Sequence, residues 1–137
     1  MNIATVNARS LPISTKMSVE VCNFIRNKDL NIAKIMLKDI VLMKKALPVK
    51  RYNHDLSHKP GMAAGRYPIK ATTQFIKLLN SLEKNAENKG LNTKNLIITF
   101  AKSNKAERRW KSTRKGRTSG KNTHVELHAE EKIGGKE

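Results

Sequence analysis

The stretch NLIITFAKSNKAERRWKSTRKGRTSGKNTHVELHA, residues 95–129, decides how this chain folds. Its ends, 95–101 and 123–129, read as β-strands. Leu96, Ile98 and Phe100 alternate with Ile97, Thr99 and Ala101, and Val125, Leu127 and Ala129 alternate with His124, Glu126 and His128. The segment between them, 102–121, carries Lys102, Lys105, Arg108, Arg109, Lys111, Arg114, Lys115, Arg117 and Lys121 against one acid, Glu107, with Trp110 in its middle. It has almost nothing apolar to bury and cannot form a core. A strand, a basic excursion and a returning strand predict an extended β-hairpin arm over about 95–130, with its basic tip at 102–121. So cationic an arm repels itself in water and needs a polyanion to become ordered, which points to nucleic acid. The competing reading is a disordered cationic linker. Apolar alternation on both sides and the return to strand count against it.

The rest of the composition agrees. The chain has 137 residues and a formal net charge of +17, with a pI near 10.3. That length suits one domain, 1–137. A merely soluble surface mixes both signs, whereas this surplus predicts attraction to phosphates and an association that weakens steeply with salt. An anionic membrane would want bulky apolar residues opposite the charges, and the arm has no such face. No apolar run approaches a membrane span. Cys22 is the only cysteine, so no disulfide can form within the chain, as suits a reducing compartment. The start, MNIATVNARSLPIS, lacks the pattern of a secretion signal, and a cytoplasmic location is expected.

Upstream of the arm three amphipathic helices are expected. Residues 2–9 read as a short strand, with Ile3, Thr5 and Asn7 facing one way and Ala4 and Val6 the other, broken at Leu11-Pro12-Ile13. Ser14 is placed to cap a helix over about 15–27 whose stripe is Met17, Val21, Phe24 and Ile25. Cys22 neighbours that stripe as a small core residue. Asp29 is the cap signal for a second helix, about 30–46, with Ala33, Met36, Leu37, Ile40, Met43 and Leu47 buried, ended by Pro48. Pro68 suits the first turn of a third helix, about 68–89, with Thr72, Phe75, Ile76, Leu79, Leu82 and Ala86 inward and Gly90 closing it. The expected fold is α+β: three helices packed on a small antiparallel sheet, with a long projecting basic β-hairpin. The tail EEKIGGKE reads as polar and frayed.

Between the second and third helices, 48–68 reads as an irregular loop bearing Lys50, Arg51, His58, Lys59 and Arg66, with Tyr52 and Tyr67 interleaved. Cations beside rings that can stack on bases suit RNA. Equally, the tyrosines can fold back and pin the loop to the core. With Lys70, these cations and the arm residues Lys105, Arg108, Arg109, Lys111, Arg114, Lys115, Arg117 and Lys121 form the candidate RNA-binding set.

Catalytic patterns are not found. There is no G-x-x-x-x-G-K phosphate loop, no Ser/His/Asp spacing, and no carboxylate pair beside the basic arm of the sort a metal-dependent nuclease needs. His124, Glu126 and His128 share one face of a strand, but three in-line ligands span too far for one ion without help. An exposed polar face explains them better. No enzyme, metal or cofactor is expected.

Three segments carry a resemblance over nearly the whole chain: LPISTKMSVEVCNFIRNK (11–28), LPVKRYNHD (47–55) and GRYPIKATTQFIKLLNSLEKNAENKGL (65–91). The last is the most specific, and THVELHAEE adds to it. The chain resembles the universal large-subunit ribosomal protein L-twenty-two family, named L-seventeen in eukaryotes. Gly-Arg-Tyr-Pro before the long helix and Asn-Ala-Glu-x-Lys-Gly-Leu at its end look like the archaeal and eukaryotic branch, as does the long 48–68 loop. The resemblance implies a structural constituent of the large subunit that binds its ribosomal RNA and supports assembly. It also implies a hairpin, 101–122 here, that lines the nascent-peptide exit tunnel facing the tunnel-lining protein L-four. Arg108, Arg109, Lys111, Arg114 and Arg117 would then contact RNA, and Trp110 would stack on a base or line the tunnel wall. Neighbouring ribosomal proteins and the nascent polypeptide would be partners, and no homo-oligomer is implied. The arm matches the family by composition more than by residue. A free-standing RNA-binding or chaperone protein is the alternative.

Overall fold

The structure is a computed structural model and describes residues 3–53 and 55–132. Its central sheet has three antiparallel strands. β8 (Thr123–Glu131) lies between β1 (Ile3–Leu11) and β5 (Leu96–Lys105). Leu127 is opposite Val6 on one side and Ala101 on the other. Val125, Leu127 and Ala129 are buried, and His124, Glu126 and His128 face outward, as the alternation predicts.

Three helices cover the inner face: α1 (Thr15–Ile25), α2 (Leu30–Val41) and α3 (Ile69–Asn88). The core gathers Val21, Ile25, Leu30, Leu37, Ile40, Phe75, Leu79, Leu82, Leu96, Ile98 and Leu127, among others. Lys34 and Glu83 join α2 to α3 at 2.6 Å. This is the expected α+β arrangement.

Helix ends differ from expectation. α1 stops at Ile25 rather than 27, because Asn27 turns left-handed (φ 60°) and its N–H donates to Ile98 O at 2.8 Å. Asparagine tolerates that conformation better than most residues. α2 stops at Val41, not 46. Met43 is left-handed (φ 57°), the Lys44 N–H donates to Asp39 O at 2.9 Å, and the Met43 N–H donates to Ile40 O at 3.1 Å. These are the paired bonds that close a helix through a left-handed residue. Met43 therefore leaves the buried stripe and is 58% exposed. α3 ends the same way at Gly90 (φ 72°), with Leu91 N–H to Ala86 O at 3.0 Å and Gly90 N–H to Glu87 O at 2.9 Å. Ser14, Asp29 and Pro68 occupy the N-cap positions, but none makes a side-chain cap bond. The Ser18 hydroxyl instead donates to Ser14 O at 2.7 Å.

Two further corrections concern strands. Residues 48–68 are not wholly irregular. β2 (Leu47–Pro48), β3 (His58–Lys59) and β4 (Met62–Arg66) form a second small sheet, ordered β2-β4-β3. Strands of two residues carry no periodicity to read. In β5 the register shifts between Ile98 and Phe100, and this bulge reverses the alternation beyond it. Ala101 is buried where Phe100 was expected, and Phe100 turns out against His128, with ring centroids 4.8 Å apart. β1 runs to Leu11, past the expected end at residue 9, and Asn2 lies outside the described residues. Of the expected frayed tail, Glu130 and Glu131 belong to β8, and 133–137 lie outside the described residues.

Candidate nucleic-acid interface

The arm is a hairpin in two sections. β5 and β8 pair out to Lys105 opposite Thr123, where the Thr123 hydroxyl donates to Ile13 O at 2.9 Å. The Ala106 N–H then donates to Asn122 O at 3.1 Å, and Asn122 Nδ2 donates to Glu107 O at 2.9 Å. Beyond that root, β6 (Arg109–Thr113) pairs with β7 (Gly116–Gly120). Arg114 and Lys115 make the tip, and the Thr113 hydroxyl donates to Gly116 O at 2.7 Å. Every residue from Glu107 to Ser119 is exposed. With no apolar face to pack, this section is held by the hairpin ladder, local contacts and an Arg109 bond to Ser10 O. Trp110 is 57% exposed, with the Arg117 guanidinium 5.5 Å from its ring centre.

A second element is built on Glu20. It lies on α1, only 2% exposed, and its carboxylate accepts the backbone N–H groups of Lys50 (3.2 Å), Arg51 (2.7 Å) and Tyr52 (3.2 Å). One buried anion thus fixes the backbone of a basic turn and directs its side chains outward. Tyr52 is half-buried between Arg51, 5.3 Å from the ring centre, and Lys16, 6.0 Å away. Tyr67 is similarly faced by Lys59 at 5.9 Å.

Between α1, the Arg51–Asn53 turn and the arm root runs an open groove of about 1050 Å³. Lys16, Arg26, Arg51, Arg66, Lys102, Lys105, Arg108 and Lys121 line it, and no Asp or Glu does among the described residues. Arg26 is held in place by an Nη2 bond of 2.6 Å to Ala101 O. Ser103 and Asn122 line it too, but their side-chain oxygens Oγ and Oδ1 are buried away from the groove without a nitrogen or oxygen partner, Ser103 Oγ lying beside the Cys22 thiol. A smaller hollow of about 500 Å³ is lined by Lys70, Arg109, Lys111 and Lys121 with Pro12, Ile13 and the start of α3.

Of the residues nominated from sequence, the groove gathers Arg51, Tyr52, Arg66, Lys105, Arg108 and Lys121, and the hollow gathers Lys70, Arg109, Lys111 and Lys121. Lys50, Lys59, Tyr67, Trp110, Arg114, Lys115 and Arg117 line neither. Lys16, Arg26, Lys102, Glu20 and Asn122 stand outside the nominated set. The charges of Lys16, Arg26, Lys102 and Glu20 were legible, but Arg26 and Lys102 come to line one groove only through the packing of α1 on β5. His128 Nε2 lies 3.0 Å from Glu126 Oε1, and His124 Nδ1 accepts the Ser10 N–H at 3.0 Å. No cluster of three or more His, Cys, Asp or Glu placed to hold a metal occurs among the described residues.

Residues 6–127 match the family model described as ribosomal protein L22p/L17e. The chain belongs to this family. It is a family of structural ribosomal components, not of enzymes. The large ribosomal subunit protein uL22 of Methanoculleus marisnigri is 47% identical over 106 residues, covering 75% of this chain and 69% of that relative. The uL22 protein of Thermoplasma volcanium is 44% identical over 109 residues, covering 77% and 74%. That of Nanoarchaeum equitans is 39% identical over 134 residues, covering 92% and 77%. These relatives are archaeal, in keeping with the branch read from Gly-Arg-Tyr-Pro at 65–68. The family match takes in α1–α3 and both arms of the hairpin, so the basic excursion is part of the family's extent.

Proposed function

We propose that this chain is a structural constituent of the large ribosomal subunit, binding its ribosomal RNA in the cytoplasm, supporting assembly and lining the exit tunnel with the β6–β7 hairpin. The observation that carries the reading is the arm itself: two exposed strands with cations on both faces and no large apolar side chain but Trp110. Such an element is suited to ordering by a polyanion. Arginine forks at Arg108, Arg109, Arg114 and Arg117 bind phosphates bidentately, and Lys105, Lys111, Lys115 and Lys121 neutralise them as point charges. Lys50, Arg51, Lys59, Arg66 and Lys70 extend this surface to the body. Tyr52, Tyr67 and Trp110 offer ring faces to bases or to the tunnel wall. In this reading the arm faces L-four and the nascent polypeptide, and the whole chain acts as one domain.

Sedimentation of a tagged copy in lysate, at moderate and then high salt, tests the proposal. Co-migration with the large subunit through the high-salt wash is expected. Recovery at the top of the gradient, or release by modest salt, would instead indicate a free-standing RNA-binding factor.

A further inference from the structure

We infer that His124 is a proton-operated latch on the arm: neutral, it holds Ser10 in the conformation that binds Arg109, and protonated, it lets the arm go. The latch acts on how the arm is held, whatever the arm binds. Three residues from three elements make it. On β8, His124 Nδ1 accepts the Ser10 N–H at 3.0 Å. At the bulge in β1, Ser10 is left-handed (φ 58°). From β6, Arg109 Nη2 donates to Ser10 O at 2.9 Å. The N–H and the carbonyl of one strained residue thus join a ring at the arm root to the exposed section of the arm.

The chemistry sets the direction. A ring nitrogen that accepts a backbone N–H carries no proton, so the latched ring is neutral with its proton on Nε2. A proton added to Nδ1 turns it into a donor facing a donor, and the bond is lost. Serine, unlike glycine, holds a left-handed φ against a Cβ clash, and the histidine bond helps to keep it there. Without that bond Ser10 relaxes toward extended backbone and its carbonyl swings from Arg109. The β6–β7 section is then left with its ladder and local contacts. The latch is closed at high pH and opens as the pH falls. Histidine is the side chain whose charge ordinarily changes between about pH 5 and 8. The charged groups around the ring are few. Glu126 and His128, further along the same strand, bond each other at 3.0 Å. β5 sets Asn104 opposite His124 and Lys102 opposite Glu126. β1 brings Arg9, next to Ser10, and β6 brings Arg109. The remaining histidine among the described residues, His58, lies in β3, outside this sheet.

The test follows backbone amide relaxation of the full chain, with the ring signals of His124 titrated in the same samples. Order parameters over 109–113 are expected to fall from roughly 0.85 near pH 8 to below about 0.6 near pH 5, with the midpoint at which the His124 ring titrates. His124→Phe, which has no acceptor, should show the low values at both ends. Arg109→Ala should do the same while its His124 ring still titrates. His58→Gln and His128→Gln should keep the transition. Arm order that stays constant while the His124 ring titrates overturns the latch, as does a transition that survives in His124→Phe. If His124→Phe does not fold, the exposed Arg109→Ala decides: a pH transition of the arm that persists without the arginine equally rules the latch out.

Discussion

Arg109 reaches from the first residue of β6 to the carbonyl of Ser10, 2.9 Å away, at the far edge of the central sheet. Ser10 is itself left-handed (φ 58°) at the bulge in β1, and its N–H is taken by His124. The exposed section of the arm is thereby tied to the body beyond its own ladder. Arg109→Ala is expected to speed amide hydrogen exchange across 109–113 several-fold, whereas Arg114→Ala at the tip leaves those rates unchanged. Equal rates in both variants would mean that the tie does not restrain the arm.

The arm arginines otherwise touch little of the body. Replacing Arg108, Arg109, Arg114 and Arg117 with alanine should leave the helical circular dichroism of the three-helix body intact. RNA affinity should fall, and the slope of log affinity against log salt should shrink by up to about 3, close to one step for each phosphate left without its arginine. A variant that fails to fold would show that the arm and core are not independent.

Glu20 predicts the opposite balance. Glu20→Ala leaves the N–H groups of Lys50, Arg51 and Tyr52 without their charged acceptor. Hydrogen bonds to charged groups contribute about 1.5–3 kcal/mol each, and water reaches the exposed turn, so a loss of roughly 2–3 kcal/mol in urea unfolding is expected. Glu20→Gln, which keeps one acceptor oxygen, should lose less.

Met43 and Gly90 end two helices with the same pair of bonds, but only glycine adopts the left-handed conformation without a Cβ clash. Met43→Gly should therefore raise stability by about 1 kcal/mol, and Gly90→Ala should lower it by about 1 kcal/mol. Thermal unfolding of both variants against the parent checks the pair together.

Burial pushes the Cys22 thiol up from 9.0 to about 12, with the Ser103 hydroxyl and the Arg26 charge pulling weakly the other way. The folded state then holds this proton more tightly than the unfolded chain does. Its contribution to stability is full below about pH 9 and is lost as pH rises toward about 12. The fall in stability over that window should be shallower in Cys22→Ala. In the native protein at pH 8 the thiol should resist iodoacetamide and react only after unfolding.

Much of this architecture was legible in sequence because long elements average over local irregularity. The α3 stripe at Thr72, Phe75, Leu79, Leu82 and Ala86 and the β8 alternation at Val125, Leu127 and Ala129 are buried as read. The misreadings fall where one residue redirects the chain. The left-handed turn at Met43 cuts α2 short, and the bulge at Thr99 exchanges Phe100 for Ala101. The candidate site was legible as charge but not as shape. Lys16, Arg26 and Lys102 look like any surface cations until α1 packs on β5, and Glu20 reads as an ordinary acid until the 50–52 backbone closes over it.

The outer side of α2 shows Ile32 and Ile35, with Leu42 and Met43 just past its end, each about half exposed or more. The free protein tolerates that greasy flank because copies of charge +17 repel one another. Polyanion binding cancels the same repulsion, so colloidal solubility should pass through a minimum near charge neutrality, where one arm's worth of RNA per protein invites coacervation. Adding excess RNA past that ratio should clear the turbidity, and substituting Ile35 and Leu42 with serine should flatten the minimum.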